Sequence, residues 1–272
     1  MTAIVAFLAS FMPQKSVQHT RKYGLPLPPT LHVTLGPEVV EGKAVFVIGD
    51  IHGCYDELCE LIHRATDVEP NIVIVCVGDL INNGPHSANV LKHVQGLGCH
   101  VVCGNHEEVA LREVTNIKWN DGYQLPDKYH WILSLDPSDV QFIESLPYSI
   151  SIPSLNAIIV HAGLVPGILL EQQHTNTLAH VRNIIEEDYF DGDGLVPCNK
   201  PDHGVAWSTL WPGPQHVYYG HDARRGFQNN AHATCLDTGC LYGGFLTGMF
   251  INKSKQIIQV KAKQIYSVGK PE

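Results

Sequence analysis

The chain is short of positive charge: 18 lysines and arginines stand against 27 aspartates and glutamates, giving a net charge of −9 at pH 7 and a pI near 5.9. Proteins that hold long nucleic acid through non-specific phosphate contacts are normally basic, so that partner class is excluded. An isolated nucleotide end needs little basic surface and stays open. No CxxC pair occurs among the eight cysteines, Cys54, Cys59, Cys76, Cys99, Cys103, Cys198, Cys235 and Cys240. That excludes zinc-ribbon spacing. Several of them lie inside apolar runs, where a free thiol acts as a small hydrophobe. With no secreted disulfide framework, a reduced intracellular setting is expected, cytoplasmic first, with a nuclear or organellar one left open. No apolar run is long enough to span a bilayer: "AIVAFLASFM" at the N-terminus falls well short of about 20 residues. It also lacks the basic flank and clear cleavage site of a signal peptide. There is no internal repeat and no low-complexity tract.

What is present is an ordinary globular composition, 44% hydrophobic and 17% charged over 272 residues, enough for one substantial core. Residues 1–41 are irregular, and their "RKYGLPLPPT" stretch predicts an extended, flexible arm. One domain is expected over 42–265, followed by a short tail, 266–272. "KAVFVIGD", "NIVIVCVGD" and "HVVCGN" are short apolar strands, each followed by a segment with helical spacing. This βαβαβ run predicts a largely parallel sheet covered on both faces. "LNAIIVHAG" is another apolar strand, Gln172 to Asp188 reads as helix, and "DGDGLVPCNKPDHG" reads as loop. Four more strands follow, in "HVYYGH", "ATCLDTGC", "GGFLTGMFI" and "QIIQVKAK", with antiparallel pairing expected among the last three.

The polar residues collect where the strands stop. Asp50 and His52 come from "GDIHG", Asp79 from "GDLINNG", Asn105 and His106 from "GNHE", His161 from "VHAG" and His221 from "YGHD". Ligands of such sheets bind beyond the carboxyl ends of the strands, so separate segments would converge there. Carboxylates mixed with imidazoles suit divalent manganese, iron, cobalt or zinc. The ligands are too many for one tetrahedral ion, whereas two ions sharing a carboxylate would use them all. A turn aspartate or a satisfied core histidine explains any one cluster as well, but not five in the same structural position.

Taken together, "GDIHG", "GDLINNG", "GNHE", "HAG" and "GH" resemble the phosphoprotein phosphatase branch of the calcineurin-like metallophosphatase superfamily. "NGPHSANVLKHVQGLG" and "LDTGCLYGGFLTG" are similar to bacterial diadenosine tetraphosphatases, and "GPQHVYYGHDARRGFQ" to the ApaH-like phosphatases. The resemblance implies a four-layer αββα sandwich, an α/β fold of mixed sheets with helices on both faces. It implies two divalent ions, manganese first, with iron, zinc or cobalt compatible. Asp50, His52 and His221 would hold one ion and Asn105 and His161 the other, with Asp79 bridging. His106 would be the general acid. The implied reaction is hydrolysis of a dinucleoside polyphosphate such as diadenosine tetraphosphate to nucleoside diphosphates. A protein serine/threonine or tyrosine phosphatase, a cap-cleaving enzyme and a metal-binding pseudophosphatase remain alternatives.

One departure stands out. The protein phosphatases carry Asp-Arg where this chain has Asn82-Asn83. Their aspartate orients the catalytic histidine and their arginine grips phosphoryl oxygens. Asn82 keeps an amide oxygen that is expected to accept from the His106 ring, but Asn83 brings no cation. Arg182, Arg224 and Arg225 are the candidates to replace it at the substrate. Losing that clamp favours a polyphosphate chain, with several anionic oxygens, over a phosphomonoester. Tyr123, Trp131, Trp207 and Trp211 could stack on a base, with core packing the plainer role for each.

Overall fold

The computed structural model describes residues 20–189 and 192–268. "AIVAFLASFM" and the rest of residues 1–19 lie outside the described residues, as do 269–272 of the expected tail.

Two sheets face each other. One has five strands, in the order β14-β13-β2-β3-β4: β2 (Ala44–Ile48), β3 (Ile72–Cys76), β4 (His100–Val101), β13 (Phe245–Phe250) and β14 (Ile257–Lys261). The other has six, in the order β1-β5-β6-β10-β12-β11: β1 (His32–Thr34), β5 (Ser149–Ile152), β6 (Ala157–Val160), β10 (His216–Tyr219), β11 (Gln228–Asn229) and β12 (Ala233–Cys235). Strand alternation builds the layers. Val45, Val47, Val73 and Val75 turn inward to meet Ile150, Ile152, Ala157 and Ile159 of the facing sheet. Ala44, Phe46, Ile48, Ile74 and Cys76 turn the other way, under the helices.

The parallel pairings β2–β3 and β3–β4 are those expected of the βαβαβ run. Its crossovers are α2 (Tyr55–Val68) and α3 (Ser87–Gly96), after a single turn, α1 (Pro37–Val40). Helix α4 (Asn105–Trp119) leads on to α5 (Pro137–Ser145), and short helices α6 (Thr175–His180) and α7 (Trp207–Leu210) come later. The architecture is the mixed αββα sandwich.

Four expectations change. The arm is not free from Thr20 onward: β1 pairs with β5 in parallel, and buried Arg21 donates to the Tyr148 hydroxyl at 3.1 Å. The helix expected over Gln172 to Asp188 is only α6, which gives way to β7 (Asn183–Tyr189). The expected loop holds β8 (Gly192–Cys198), which pairs antiparallel with β7, and β9 (Val205–Ala206) completes this three-stranded sheet. The β-branched "NII" at its start favours strand, and Asn183 fixes the return loop by donating to the carbonyls of Lys200, Pro201 and His203. Finally, β13 and β14 pair antiparallel as expected, but β12 runs parallel to β10 in the other sheet.

Candidate metal centre

Each expected ligand stands just past a strand. Asp50 and His52 follow β2, Asp79 follows β3, Asn105 opens α4 after β4, His161 follows β6 and His221 follows β10. The backbone doubles back at these points. His52, Asp79, Asn82, Asn83 and His221 all take φ between 48° and 70°. That left-handed region is costly for non-glycine residues and concentrates at functional sites. Local hydrogen bonds hold it: Ile51 and His52 N–H both donate to the Asp79 carbonyl, at 3.0 and 2.8 Å. Main chain also presses against the carboxylates. A Cβ at Gly220 would lie 1.8 Å from Asp50 Oδ1, and one at Gly104 would lie 2.2 Å from Asp79 Oδ1.

Backbone carbonyls set the histidine tautomers. A carbonyl only accepts, so the ring nitrogen facing it carries the proton and the other is left as a donor to an ion. His52 Nδ1 faces the Ile81 carbonyl at 3.2 Å, His161 Nδ1 faces that of Val77 at 2.9 Å, and His221 Nε2 faces that of His180 at 3.2 Å. The nitrogens left over are His52 Nε2, His161 Nε2 and His221 Nδ1. His161 Nε2 lies 2.9 Å from Asn105 Oδ1 and 3.4 Å from Asp79 Oδ2. With that nitrogen unprotonated, acceptors face one another there, and either a ring proton or a cation would join them. The donor set therefore fits divalent ions.

Two groups of donor atoms each fall within 4.8 Å of one another: His52, Asp79 and His106, and Asp79, His161 and His221. Asp79 belongs to both. The partition differs from the expected one. His106 joins His52, with its Nε2 4.0 Å from Asp79 Oδ2, while the Asp50 carboxylate accepts the His221 N–H at 3.1 and 3.2 Å.

The electrostatics are those of carboxylates crowded away from water. Burial, with Asp237 and Asp79 nearby, pushes Asp50 well above the usual carboxylate range. Asp79 is equally buried, yet the imidazoles of His161, His106 and His52 hold it well below that range. Burial, then the His106 ring, lowers His52 to about 4, and burial with the Arg182 charge lowers His221 well below an ordinary histidine. Burial opposes the charged form of His161 too, but Asp79 outweighs it and raises the group.

Asp50, His52, Asp79, Asn105, His106, Arg182, His221 and Asp237 line a cavity of about 20 Å³, the size of an ion or two. It adjoins a cleft of about 450 Å³, and Asn105, His106, Arg182 and His221 face both. Asn83 lines the cleft, as do Lys22, Lys128 and Lys200, and among the described residues no carboxylate lines it.

Arg182 is thus the expected arginine that reaches the centre, although it stands past the end of α6, not within a helix. Its guanidinium donates to the His221 carbonyl at 2.6 Å. Arg224 and Arg225 do not reach it. Arg224 pairs with Asp202 on the exposed surface at 2.9 Å. Arg225 is consumed by Asp222, Asn183 and the Pro201 carbonyl, at 2.6, 2.7 and 3.0 Å. The expectation for Asn82 also changes. Its amide N–H donates to the His106 main-chain carbonyl at 2.8 Å, and its oxygen is taken by the Trp131 indole at 3.2 Å, not by the His106 ring. The other candidate aromatics are structural: Trp207 is buried and donates to the Ala162 carbonyl, Trp211 donates to that of Gln215, and Tyr123 bonds Glu113.

Sequence reading missed Glu107 and Asp237. Glu107 accepts from the N–H groups of Asp79, Leu80 and Gly104 at 2.8, 2.9 and 2.8 Å, and burial with Asp79 raises it to about 7. A glutamate at the third helical position was the available signal. Asp237, raised to about 6 chiefly by burial, follows β12 as the recognised ligands follow theirs.

The calcineurin-like phosphoesterase family model matches residues 43–246. The chain belongs to the calcineurin-like phosphoesterase family. Enzymes of this family are hydrolases that use divalent metals. A crystal structure provisionally named a diadenosine tetraphosphatase superposes on this calcineurin-like phosphoesterase with a TM-score of 0.74 and 31% identity, over 86% of this chain and 98% of that one. The symmetrical bis(5'-nucleosyl)-tetraphosphatase of Coxiella burnetii is 29% identical over 83% of this chain and 91% of its own. The zinc-dependent endopolyphosphatase of Saccharomyces cerevisiae is 26% identical over 76% and 75%.

Proposed function

We propose that this metallophosphatase is a dinuclear phosphoanhydride hydrolase. Its substrate is a dinucleoside polyphosphate such as diadenosine tetraphosphate, released as nucleoside diphosphates. The observation that carries the reading is the cleft: on a chain of net charge −9, its lining gathers Lys22, Lys128, Arg182 and Lys200 and, among the described residues, no acid. Such a local concentration of cations draws in and holds a polyanionic chain.

Asp50, His52, Asp79, Asn105, His161 and His221 would together hold the two ions, with Asp79 shared and His161 and His221 on the same side of it. Manganese is the first choice, and iron, zinc or cobalt suit the same donors. Ions bound there would polarise the phosphoryl group and supply hydroxide near neutral pH. Arg182 directs its unused N–H groups at the phosphoryl oxygens in the place of the cation that Asn83 lacks. Lys22, Lys128 and Lys200 hold the outlying phosphates, and the exposed Tyr23 ring, now met by Arg112 at 4.7 Å and Lys22 at 5.4 Å from its centroid, stacks on a base once Lys22 turns to a phosphate. His106, at the junction of cavity and cleft, protonates the departing phosphate oxygen. The carbonyl-fixed tautomers keep His52, His161 and His221 aimed inward throughout. The eight free thiols agree with a reduced, cytoplasmic setting.

The test is a substrate panel with the manganese-loaded chain: diadenosine tetraphosphate, long-chain polyphosphate, a phosphopeptide and a capped transcript. ADP released from the dinucleotide, and lost in His106→Ala, supports the proposal. No ADP alongside brisk turnover of the phosphopeptide overturns it. A second reading, hydrolysis of inorganic polyphosphate, is favoured by the same row of lysines, since a linear polyphosphate needs no base platform. Faster turnover of polyphosphate than of the dinucleotide would establish it.

A further inference from the structure

A second set of donor atoms meets in the interior, outside the centre described above. The sulfurs of Cys54 and Cys240 and a carboxylate oxygen of Glu57 lie within 4.8 Å of one another. Cys54 and Glu57 are fully buried and Cys240 is 2% exposed. Cys54 caps α2, Glu57 lies in its first turn, and Cys240 opens the short 3-10 helix Cys240–Tyr242. Glu57 Oε1 is satisfied by the Lys263 N–H at 2.9 Å and the Tyr266 hydroxyl at 2.7 Å. Glu57 Oε2 is buried with no hydrogen-bond partner among the described residues. A carboxylate oxygen in that position costs free energy unless something positive meets it.

We propose that Cys54, Cys240 and Glu57 form a zinc site separate from the hydrolytic centre. Thiolates beside a carboxylate select zinc over hard ions such as manganese. Zinc–sulfur bonds of about 2.3 Å and zinc–oxygen bonds of about 2.1 Å put tetrahedral donors roughly 3.5–3.8 Å apart, so the three groups need only small movements to close on an ion. Binding releases the two thiol protons to solvent, and the ion's two charges meet two thiolates and one carboxylate. A disulfide between the same cysteines would leave Glu57 Oε2 unpartnered, whereas an ion satisfies it. Cys54 follows His52 by two residues and Cys240 follows Asp237 by three, so the ion clasps two loops of the hydrolytic centre together. Through Glu57 it also ties in the C-terminal segment at Lys263 and Tyr266.

Cobalt reports on this site directly, because cobalt–thiolate bonds give a near-ultraviolet charge-transfer band and the hydrolytic centre has only oxygen and nitrogen donors. The full chain, reduced and stripped with chelator, is titrated with cobalt. The band is expected in the wild type, weakened in Glu57→Gln and absent from Cys54→Ser and Cys240→Ser. Its absence from the wild type, or its persistence in both serine variants, overturns the site. If the variants do not fold, zinc-edge X-ray absorption on the wild type loaded with three equivalents decides the matter. A sulfur shell at about 2.3 Å is expected, and a purely nitrogen and oxygen shell overturns the proposal. Neither readout depends on phosphoanhydride turnover.

Discussion

Trp131 donates its indole N–H to Oδ1 of Asn82 at 3.2 Å, while the amide nitrogen of Asn82 donates to the His106 carbonyl at 2.8 Å. A donor on one side and an acceptor on the other fix which way the amide points. Asn82 is fully buried, and an asparagine can serve both partners at once. It splints the 3-10 helix Asp127–Ser134 to the first turn of α4, which carries His106.

Asn82→Asp therefore does not restore a protein-phosphatase site. The carboxylate keeps the indole but turns an oxygen on the His106 carbonyl, so kcat falls and the protein loses on the order of 1–3 kcal/mol, the cost of an unpaired buried polar group. Thermal unfolding and steady-state kinetics of the single variant check this; a rise in kcat at unchanged Tm would contradict it.

The arginines separate by position. Arg182→Ala, losing a buried guanidinium between His221 and the cleft, is expected to lower kcat/KM by about 100-fold, as removal of a transition-state donor does. Arg224→Ala removes an exposed pair with Asp202 and changes stability by less than about 1 kcal/mol, with kcat/KM unchanged. Parallel kinetics on the two variants test the assignment.

Tyr23 is 43% exposed, with the guanidinium of Arg112 4.7 Å from its ring centroid, and it lines the cleft. Tyr23→Ala is expected to raise KM for diadenosine tetraphosphate by roughly 5–100-fold, the loss of about 1–3 kcal/mol of base stacking. KM for inorganic polyphosphate, which has no base, stays level. Equal effects on both would assign Tyr23 to folding alone.

Above about pH 6.5, the stability of the metal-free protein falls as pH rises through about 7. Glu107, raised to about 7, and Asp50 and His161, also raised, each contribute stability below their unfolded values that is lost as pH passes the folded ones. His52 and His221 are lowered, so above about pH 6.5 they are neutral in both states and add nothing further. Divalent ions offset the crowded carboxylates, so the gain in Tm on adding manganese is larger at pH 8 than at pH 6.5. Melting curves with and without metal at both values measure it, and a smaller gain at the higher pH would contradict the sign.

The sequence carried the strands β2, β3, β4, β6 and β10 and the residues past their ends, because apolar runs stopping at polar turns are local signals. What it hid depends on distant partners. Whether Arg182 or Arg225 faces the cleft depends on Asp222, Asn183 and Pro201 taking up Arg225. The role of Asn82 depends on an indole 49 residues away. The start of the chain looked irregular because Pro-rich segments lack periodicity. Yet Arg21 reaches Tyr148, whose hydroxyl bonds Glu108 at 2.5 Å; Glu108 in turn meets His180 at 3.0 Å, beside the His221 ring. Helix was expected over β7 because its apolar residues fit a helical stripe until a partner strand is in view.

Asp79 stands between the two groups of donors, and its role is measured most directly by manganese stoichiometry in Asp79→Asn beside the wild type, with diadenosine tetraphosphate turnover on the same samples. The wild type should hold two ions per chain and release ADP, and the variant should lose ions and turnover together while still folded by circular dichroism. A folded variant that keeps both manganese ions and wild-type turnover would contradict a shared carboxylate at the heart of the site.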